Sequence, residues 1–200
     1  MNDANCFTLS EAVDGAGKDY KSIFGIIIGT GFGGGLSFNK SIIEGSNQIA
    51  GDWGHQPLPY PTKDEQEIKI SCPSNNCGRP LCAEQFMSGI GFKDRFNQKY
   101  NTNFTSEEIV KLDLENDPRA NLELGLYEDR MARLMAVMIG IFDPDAIILG
   151  GGMSNIDRFY KNIPSLIPKY TFSNKVKTKV LKNIHGDSSG VRGAAWLWDN

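Results

Sequence analysis

Between Gly51 and Glu84 the chain gathers a carboxylate, a histidine, three cysteines and a second carboxylate, running from GDWGHQPLP to CGRPLCAE. Cys72, Cys77 and Cys82 are each separated by four intervening residues, and His55 lies upstream of them. Thiolate sulfur and imidazole nitrogen are the donors that tetrahedral zinc takes, so His55, Cys72, Cys77 and Cys82 form a candidate zinc site. A free cysteine is often only a small buried hydrophobe. Here the intervening Pro73, Ser74, Asn75, Asn76, Gly78, Arg79 and Pro80 are polar or turn-forming and offer no apolar face for that role. Asp52 and Glu84 are harder ligands, which leaves them for a polar partner rich in hydroxyls, such as a sugar.

The elements that must position these groups are read from periodicity. Asp3 stands at the start of a stretch whose Cys6, Leu9 and Val13 fall at helical spacing, which predicts an amphipathic helix with Asp3 as its N-cap. Ile23 to Ile28 reads as a buried strand, and Leu36 to Phe38 as the strand returning from Gly29-Thr30-Gly31-Phe32-Gly33-Gly34-Gly35. Five glycines in seven residues make that connection a candidate phosphate loop, with a glycine-rich hairpin that holds no ligand as the alternative. It is neither a Walker A loop nor a Rossmann turn, since no Gly-Lys-Ser/Thr follows and a strand succeeds it where a helix should stand.

Downstream, Cys82 to Asn97 reads as a helix broken at Ser88-Gly89, and Thr105-Ser106-Glu107-Glu108 as a helix start. A stripe of Met131, Leu134, Met135, Met138 and Phe142 predicts a core-facing helix that stops at Asp143-Pro144. Ala146 to Leu149 is a strand running into Gly150-Gly151-Gly152, with a new helix from about Asn155, a second place where backbone can lie against a nucleotide. Val176 to Leu181 closes the strands and Val191 to Trp198 the helices, which together predict an α/β domain.

At 200 residues the chain is long enough for one domain with its own core. A net charge of −3 predicts no polyanion-binding face, so nucleic acid is not an expected partner. The apolar run at residues 23–28 is too short to cross a membrane, and the opening residues lack a signal-peptide pattern. The expectation is a cytosolic (cytoplasmic) protein whose cysteines are reduced ligands.

The ordered motifs NDANCF, GTGFGGG, GDWGHQPLP, CGRPLCAE followed by QFMSG, LGGGMSN and RGAAWLW resemble those of the ROK family of repressors, open reading frames and kinases. The resemblance is to its bacterial sugar kinases of the fructokinase, mannokinase and N-acetylglucosamine kinase type. It implies an actin-like ATPase (ribonuclease H-like) fold whose two lobes meet at a cleft for sugar and ATP-Mg. On that resemblance Asp3 matches the catalytic base and Asn2 its neighbour on the sugar. Asp52, His55 and Glu84 match sugar-contacting positions, His55, Cys77 and Cys82 match ligands of a structural zinc, Thr30 and Gly31 face the ATP phosphates, and Gly151 and Gly152 face the adenosine. The family more often has Glu at Asp52, a Cys-x-Cys pair that would fall on Asn75 and Cys77, and glycine at Leu81. Its amino-terminal Asp-x-Gly-x-Thr motif has no counterpart, so residues 1–200 are expected to form a carboxy-terminal lobe, with the other lobe lost or carried on a separate chain. A sugar sensor, an inactive zinc-stabilised remnant and a homodimer are open alternatives.

Overall fold

The computed structural model describes residues 2–68, 72, 77–186 and 189–196. Pro73 to Asn76, together with Leu197 and Trp198 of the RGAAWLW stretch, lie outside them. In chain order the elements are α1 (Asp3–Val13), β1 (Ser22–Ile28), β2 (Phe32–Phe38), β3 (Ser41–Ile42), α2 (Lys63–Glu67), α3 (Ala83–Met87) and α4 (Gly89–Tyr100). There follow α5 (Ser106–Leu114), α6 (Pro118–Phe142), β4 (Ala146–Gly150), α7 (Arg158–Leu166), β5 (Lys179–Lys182) and α8 (Ser189–Trp196).

The strands form one sheet in the order β3-β2-β1-β4-β5. β1 is its centre because its β-branched residues suit a strand buried on both faces. It pairs antiparallel with β2 and parallel with β4, and β4 pairs parallel with β5. Alternation sorts the side chains: Phe24, Ile26 and Ile28 join Ile147, Leu149 and the α3, α4, α6 and α7 residues in the main core. Ile23 and Ile148 point to the other face, where they meet Phe7 and Ala12 of α1.

Two sequence expectations change at α1. Asn2, not Asp3, is the N-cap: its side-chain oxygen accepts from Asn5 N at 2.8 Å, and Asp3 is the first helical residue. The helix is also not amphipathic, since Ala4 to Ala12 is buried throughout, between the sheet on one side and α8 on the other. Its polar residues are accommodated by bonding: Thr8 Oγ1 donates to Ala4 O at 2.7 Å, and Glu11 accepts from the main-chain amides of Ala16, Ile184 and His185.

The glycine-rich connection is revised as well. Only Gly29, Thr30 and Gly31 form the turn, while Gly33, Gly34 and Gly35 belong to β2, which begins at Phe32 and not at Leu36. Gly25 and Gly35 are paired across the strands, and a Cβ on either would come within 2.6 Å of Thr8 Oγ1. These glycines are a floor for α1, which lies directly on the backbone of the sheet. At the other end of the chain α7 begins at Arg158, after a short 3-10 turn over Gly152–Asn155, so the helix expected from Asn155 starts a turn later.

α6 is capped by Asp117, has Pro118 in its first turn, and ends in the left-handed Asp143 just before Pro144. It carries a buried ion cluster that fixes the segment leading to the metal loop. Glu65 Oε1 accepts from Arg130 Nε and Arg133 Nη2, both at 2.7 Å, and Arg133 Nη1 also holds the carbonyls of Pro59 and Tyr60. Burial pushes the Glu65 carboxyl up, but the bonds from Arg133, Thr62 N and Arg130 together outweigh it and hold it at about 2.

Removing Glu65 takes away the carboxylate shared by two buried guanidinium groups, leaving Arg133 with Asp129 at 3.2 Å and the Pro59 and Tyr60 carbonyls, and Glu65→Ala is expected to cost about 3–5 kcal/mol in urea unfolding. The pH dependence follows from a depressed carboxyl. Its contribution is complete above the unfolded carboxyl value of ~4.3. It is lost as pH falls toward about 2. The stability gap between wild type and Glu65→Gln should therefore shrink across that interval and nowhere else.

Candidate functional site

The segment after β3 returns to the start of α3 through a short antiparallel ladder. Leu58 N donates to Leu81 O, Ala83 N to Gln56 O and Glu84 N to Gly54 O, at 2.7 to 2.8 Å. This pairing brings His55 and Cys82 together from either side, and Arg79 Nη1 donates to His55 O to hold the loop across them. The donor atoms of His55, Cys72, Cys77 and Cys82 all lie within 4.8 Å of one another. Cys77 Sγ and Cys82 Sγ are 3.5 Å apart, and His55 Nδ1 is 3.5 Å from Cys82 Sγ and 4.0 Å from Cys72 Sγ. Tetrahedral zinc with sulfur ligands at ~2.3 Å requires sulfurs roughly 3.8 Å apart, so the four residues fit the metal. Cys72, the ligand left open by the missing Cys-x-Cys pair, is within the cluster.

The thiols differ in how readily they lose a proton. The Arg79 main-chain amide pulls Cys77 down to about 7, whereas burial pushes Cys82 up. A metal ion would stabilise the Cys82 thiolate against that burial.

Beside the cluster lies a cavity of 390 Å³ whose walls include Asn2, Asp3, Thr30, Gly31, Asp52, His55 and Glu84. Asp3 and Asn2 reach it from the first turn of α1, Asp52 and His55 from the loop after β3, and Glu84 from α3. Asp3 is exposed, with Oδ1 held by Ala4 N at 2.9 Å. Asn2 uses its side-chain oxygen as the helix cap, so what it offers a ligand is chiefly its amide N–H groups. Glu84 is buried and Oε2 accepts from Phe32 N at 3.2 Å, which ties α3 to the turn between β1 and β2.

A second cavity of 630 Å³ adjoins the first, and the two share Gly29 and Thr30. Its walls are apolar on Ile90, Val110, Met153 and Ile156, with Thr105, Ser106, Glu107, Lys93 and Asn155 supplying polar groups. Gly152 lines it, whereas Gly151 shapes the turn beneath: its φ of +80° and the Ile28 carbonyl 2.5 Å from any Cβ admit only glycine. Apolar walls beside a glycine turn suit a flat base with a phosphate tail leading toward Thr30. Sequence reasoning missed the α4 and α5 contributions to this cavity. The Thr105 capping box marks where α5 begins and carries no sign of what that end faces. A larger cavity of 940 Å³ lies between the end of α6 and residues 170–179 and gathers none of the expected site residues.

The purified chain is expected to hold about one equivalent of zinc by elemental analysis, and Cys82→Ser or His55→Ala should lower it several-fold. Cys72→Ser tests the fourth ligand. Undiminished occupancy in that variant would remove Cys72 from the set.

The profile described as ROK family matches residues 1–200. The chain is 37% identical over 199 residues to the N-acetyl-D-glucosamine kinase of Photobacterium profundum, covering 98% of this chain and 65% of that protein. The chain thus spans just under two thirds of the length of this relative. Among solved structures it is similar to the ROK hexokinase from Thermus thermophilus, at a TM-score of 0.84, 22% identity, and coverage of 100% of this chain and 66% of the other. A ROK family glucokinase from Streptomyces griseus, determined in complex with glucose and AMPPNP, matches at a TM-score of 0.84 and 24% identity over 98% of this chain and 66% of the other. The shared fold is the actin-like α/β fold of these kinases, and this chain carries the Cys/His loop on it. On the match over its whole length and the relatives of the same type, the chain belongs to the ROK family.

Proposed function

We propose that this chain supplies the catalytic base, the sugar-binding groups and the zinc loop of an ATP-dependent sugar kinase, with N-acetyl-D-glucosamine as the first substrate to test. The observation that carries the reading is the pair of adjoining cavities. One gathers Asp3, Asp52, His55 and Glu84, the other has apolar walls, and both open onto Gly29 and Thr30. Their volumes fall in the range of small-molecule sites. The identity to N-acetyl-D-glucosamine kinases favours that sugar among hexoses and N-acetylhexosamines.

Phosphoryl transfer needs positioning and charge stabilisation more than covalent help from the protein. Asp52, His55 and Glu84 would hold sugar hydroxyls while Asp3 accepts the proton of the attacking hydroxyl as the γ-phosphate of ATP-Mg arrives over Thr30 and Gly31. Zinc, bound by His55, Cys72, Cys77 and Cys82, would be structural, with its coordination complete and none left for substrate. Its effect would be to hold His55 and Glu84 in place. The alternative of a sugar sensor without catalysis is disfavoured by Asp3, which binding alone does not require.

The reading predicts that Glu84→Ala abolishes sugar binding by calorimetry while helix content and zinc stay at wild-type levels. Asp52→Glu, which matches the more usual family residue, should raise sugar affinity.

Phosphates held from one wall of a cleft are poorly aligned, and small misplacements can cost ~100-fold in rate. Because the chain spans 65% of its relatives' length, turnover by residues 1–200 assayed alone should be low and should rise when the remaining lobe is added or fused. In that complemented protein Asp3→Asn should lower turnover by ~100-fold or more with sugar affinity retained. Full sugar-dependent turnover by the chain alone would refute the two-wall account, and saturable sugar binding without turnover in the complemented protein would support the sensor.

A further inference from the structure

Arg95 is a cation buried to 6% exposure whose guanidinium is directed at main-chain carbonyls. Nη1 donates to Gln85 O at 2.6 Å and Gly91 O at 3.1 Å, and Nη2 donates to Phe86 O at 2.9 Å. Burial, with the nearby charge of Arg130, lowers its pKa to about 9, so it keeps its proton at neutral pH. Among the described residues its hydrogen bonds all go to main-chain carbonyls, with the Phe86 ring 5.2 Å from the guanidinium carbon, and a buried cation so held calls for a reason in the local backbone.

That reason is the break between α3 and α4. In an unbroken helix the amides of Gly89, Ile90 and Gly91 would bond to the carbonyls of Gln85, Phe86 and Met87. Ser88 is extended, at φ −68° and ψ 154°, and the chain leaves the helix there. Gly91 N instead takes Ser88 Oγ at 3.0 Å, and Gly89 N donates to Gly29 O at 2.8 Å. The orphaned carbonyls are refilled from elsewhere, Gln85 and Phe86 by Arg95, and Met87 by the Tyr127 hydroxyl at 2.7 Å.

The elbow so made grips the turn between β1 and β2 at both ends. Gly89 N holds Gly29 O, and Glu84 Oε2 holds Phe32 N. No larger residue fits at the first contact without displacement, because a Cβ on Gly89 would stand 3.1 Å from Gly29 O. Between the two grips lie Thr30, in the wall common to the two cavities, and Gly31, which lines the smaller one.

We propose that Arg95 is a positioning residue: by standing in for helix hydrogen bonds at Gln85 and Phe86 it fixes the α3–α4 elbow, so that Glu84 and Gly89 set the Gly29–Phe32 turn in one place for both ligands. The part of this that concerns ligands rests on the sugar-kinase reading of the two cavities. Loss of Arg95 loosens both grips together, so affinity for sugar and for nucleotide falls together although Arg95 touches neither.

The test compares wild type, Arg95→Met and Arg95→Lys by amide hydrogen exchange and by titration with N-acetyl-D-glucosamine and with AMPPNP-Mg. Loss of charge-assisted bonds should speed exchange at Phe32 N and Gly89 N by ~10-fold or more in Arg95→Met, and weaken both ligands by a similar factor. Exchange within Met131–Met138 of α6 should be unchanged, and Arg95→Lys should recover part of each effect. A uniform rise in exchange through α6 and β4 would indicate a global stability role and overturn the proposal. Local loosening with both affinities intact would overturn it too. If Arg95→Met does not fold, Arg95→Lys supplies the same readouts, and wild-type exchange at both amides together with wild-type affinities in that variant would overturn it. Failure of the wild-type chain to bind either ligand would count against the sugar-kinase reading, and the exchange at the two amides would then decide the role of Arg95 by itself.

Discussion

The site depends on a contact that side chains would forbid. At Gly34 and Gly35 the backbone of β2 is bare, and two pieces of chain settle on it: a Cβ at Gly35 would meet Thr8 Oγ1 and the Ala4 carbonyl of α1, and a Cβ at Gly51 would meet the Gly34 carbonyl. The first turn of α1, bearing Asn2 and Asp3, and the loop bearing Asp52 and His55 therefore meet over the same two residues. Close approach of this kind is decided by sterics at a few tenths of an ångström, and a single added methyl would force one of the two segments away.

The remaining wall is set by the ladder between residues 54–58 and 81–84, which carries Glu84 to the cavity and brings Cys82 beside His55. The ladder bonds and the buried Trp53 and Leu58 side chains hold the described part of this loop to the core, and a metal joining His55 to the cysteines would add a further tie between its two sides. Behind it the Glu65, Arg130 and Arg133 cluster fastens the incoming chain to α6, with Glu65 also closing the capping box of α2 through Thr62. Charged groups do this anchoring where the Pro59 and Tyr60 carbonyls need donors and an aliphatic side chain would leave them unpaired.

The two cavities are joined physically, because the turn they share is held from α3 and α4 and not by its own hydrogen bonds alone. A helix interrupted at Ser88 releases the Gly89 amide to the turn, and Arg95 and Tyr127 take the place of the lost helical bonds. The elbow beside the site is thus tied to the main core, where the Tyr127 ring packs against Phe92 and Phe159.

Much was legible in the sequence where the signal is local. The strands at Ile23–Ile28 and Ala146–Leu149, the helix break at Ser88-Gly89, the helix start at Thr105 and the stop at Asp143-Pro144 follow from side-chain periodicity, capping and proline geometry within a few residues. The grouping of His55 with Cys72, Cys77 and Cys82 was legible for the same reason, since donor chemistry and spacing restrict it. Three features waited for the tertiary structure. Gly25 and Gly35 form a floor for α1, the helix at the start of the chain is buried on all sides, and the 630 Å³ cavity takes part of its walls from α4 and α5. Each depends on contacts between residues far apart in the chain, such as Glu84 with Phe32, 52 positions away. A glycine or a buried arginine reads the same in sequence whether it serves a turn, a ligand or a neighbouring helix, and only the fold supplies the neighbour.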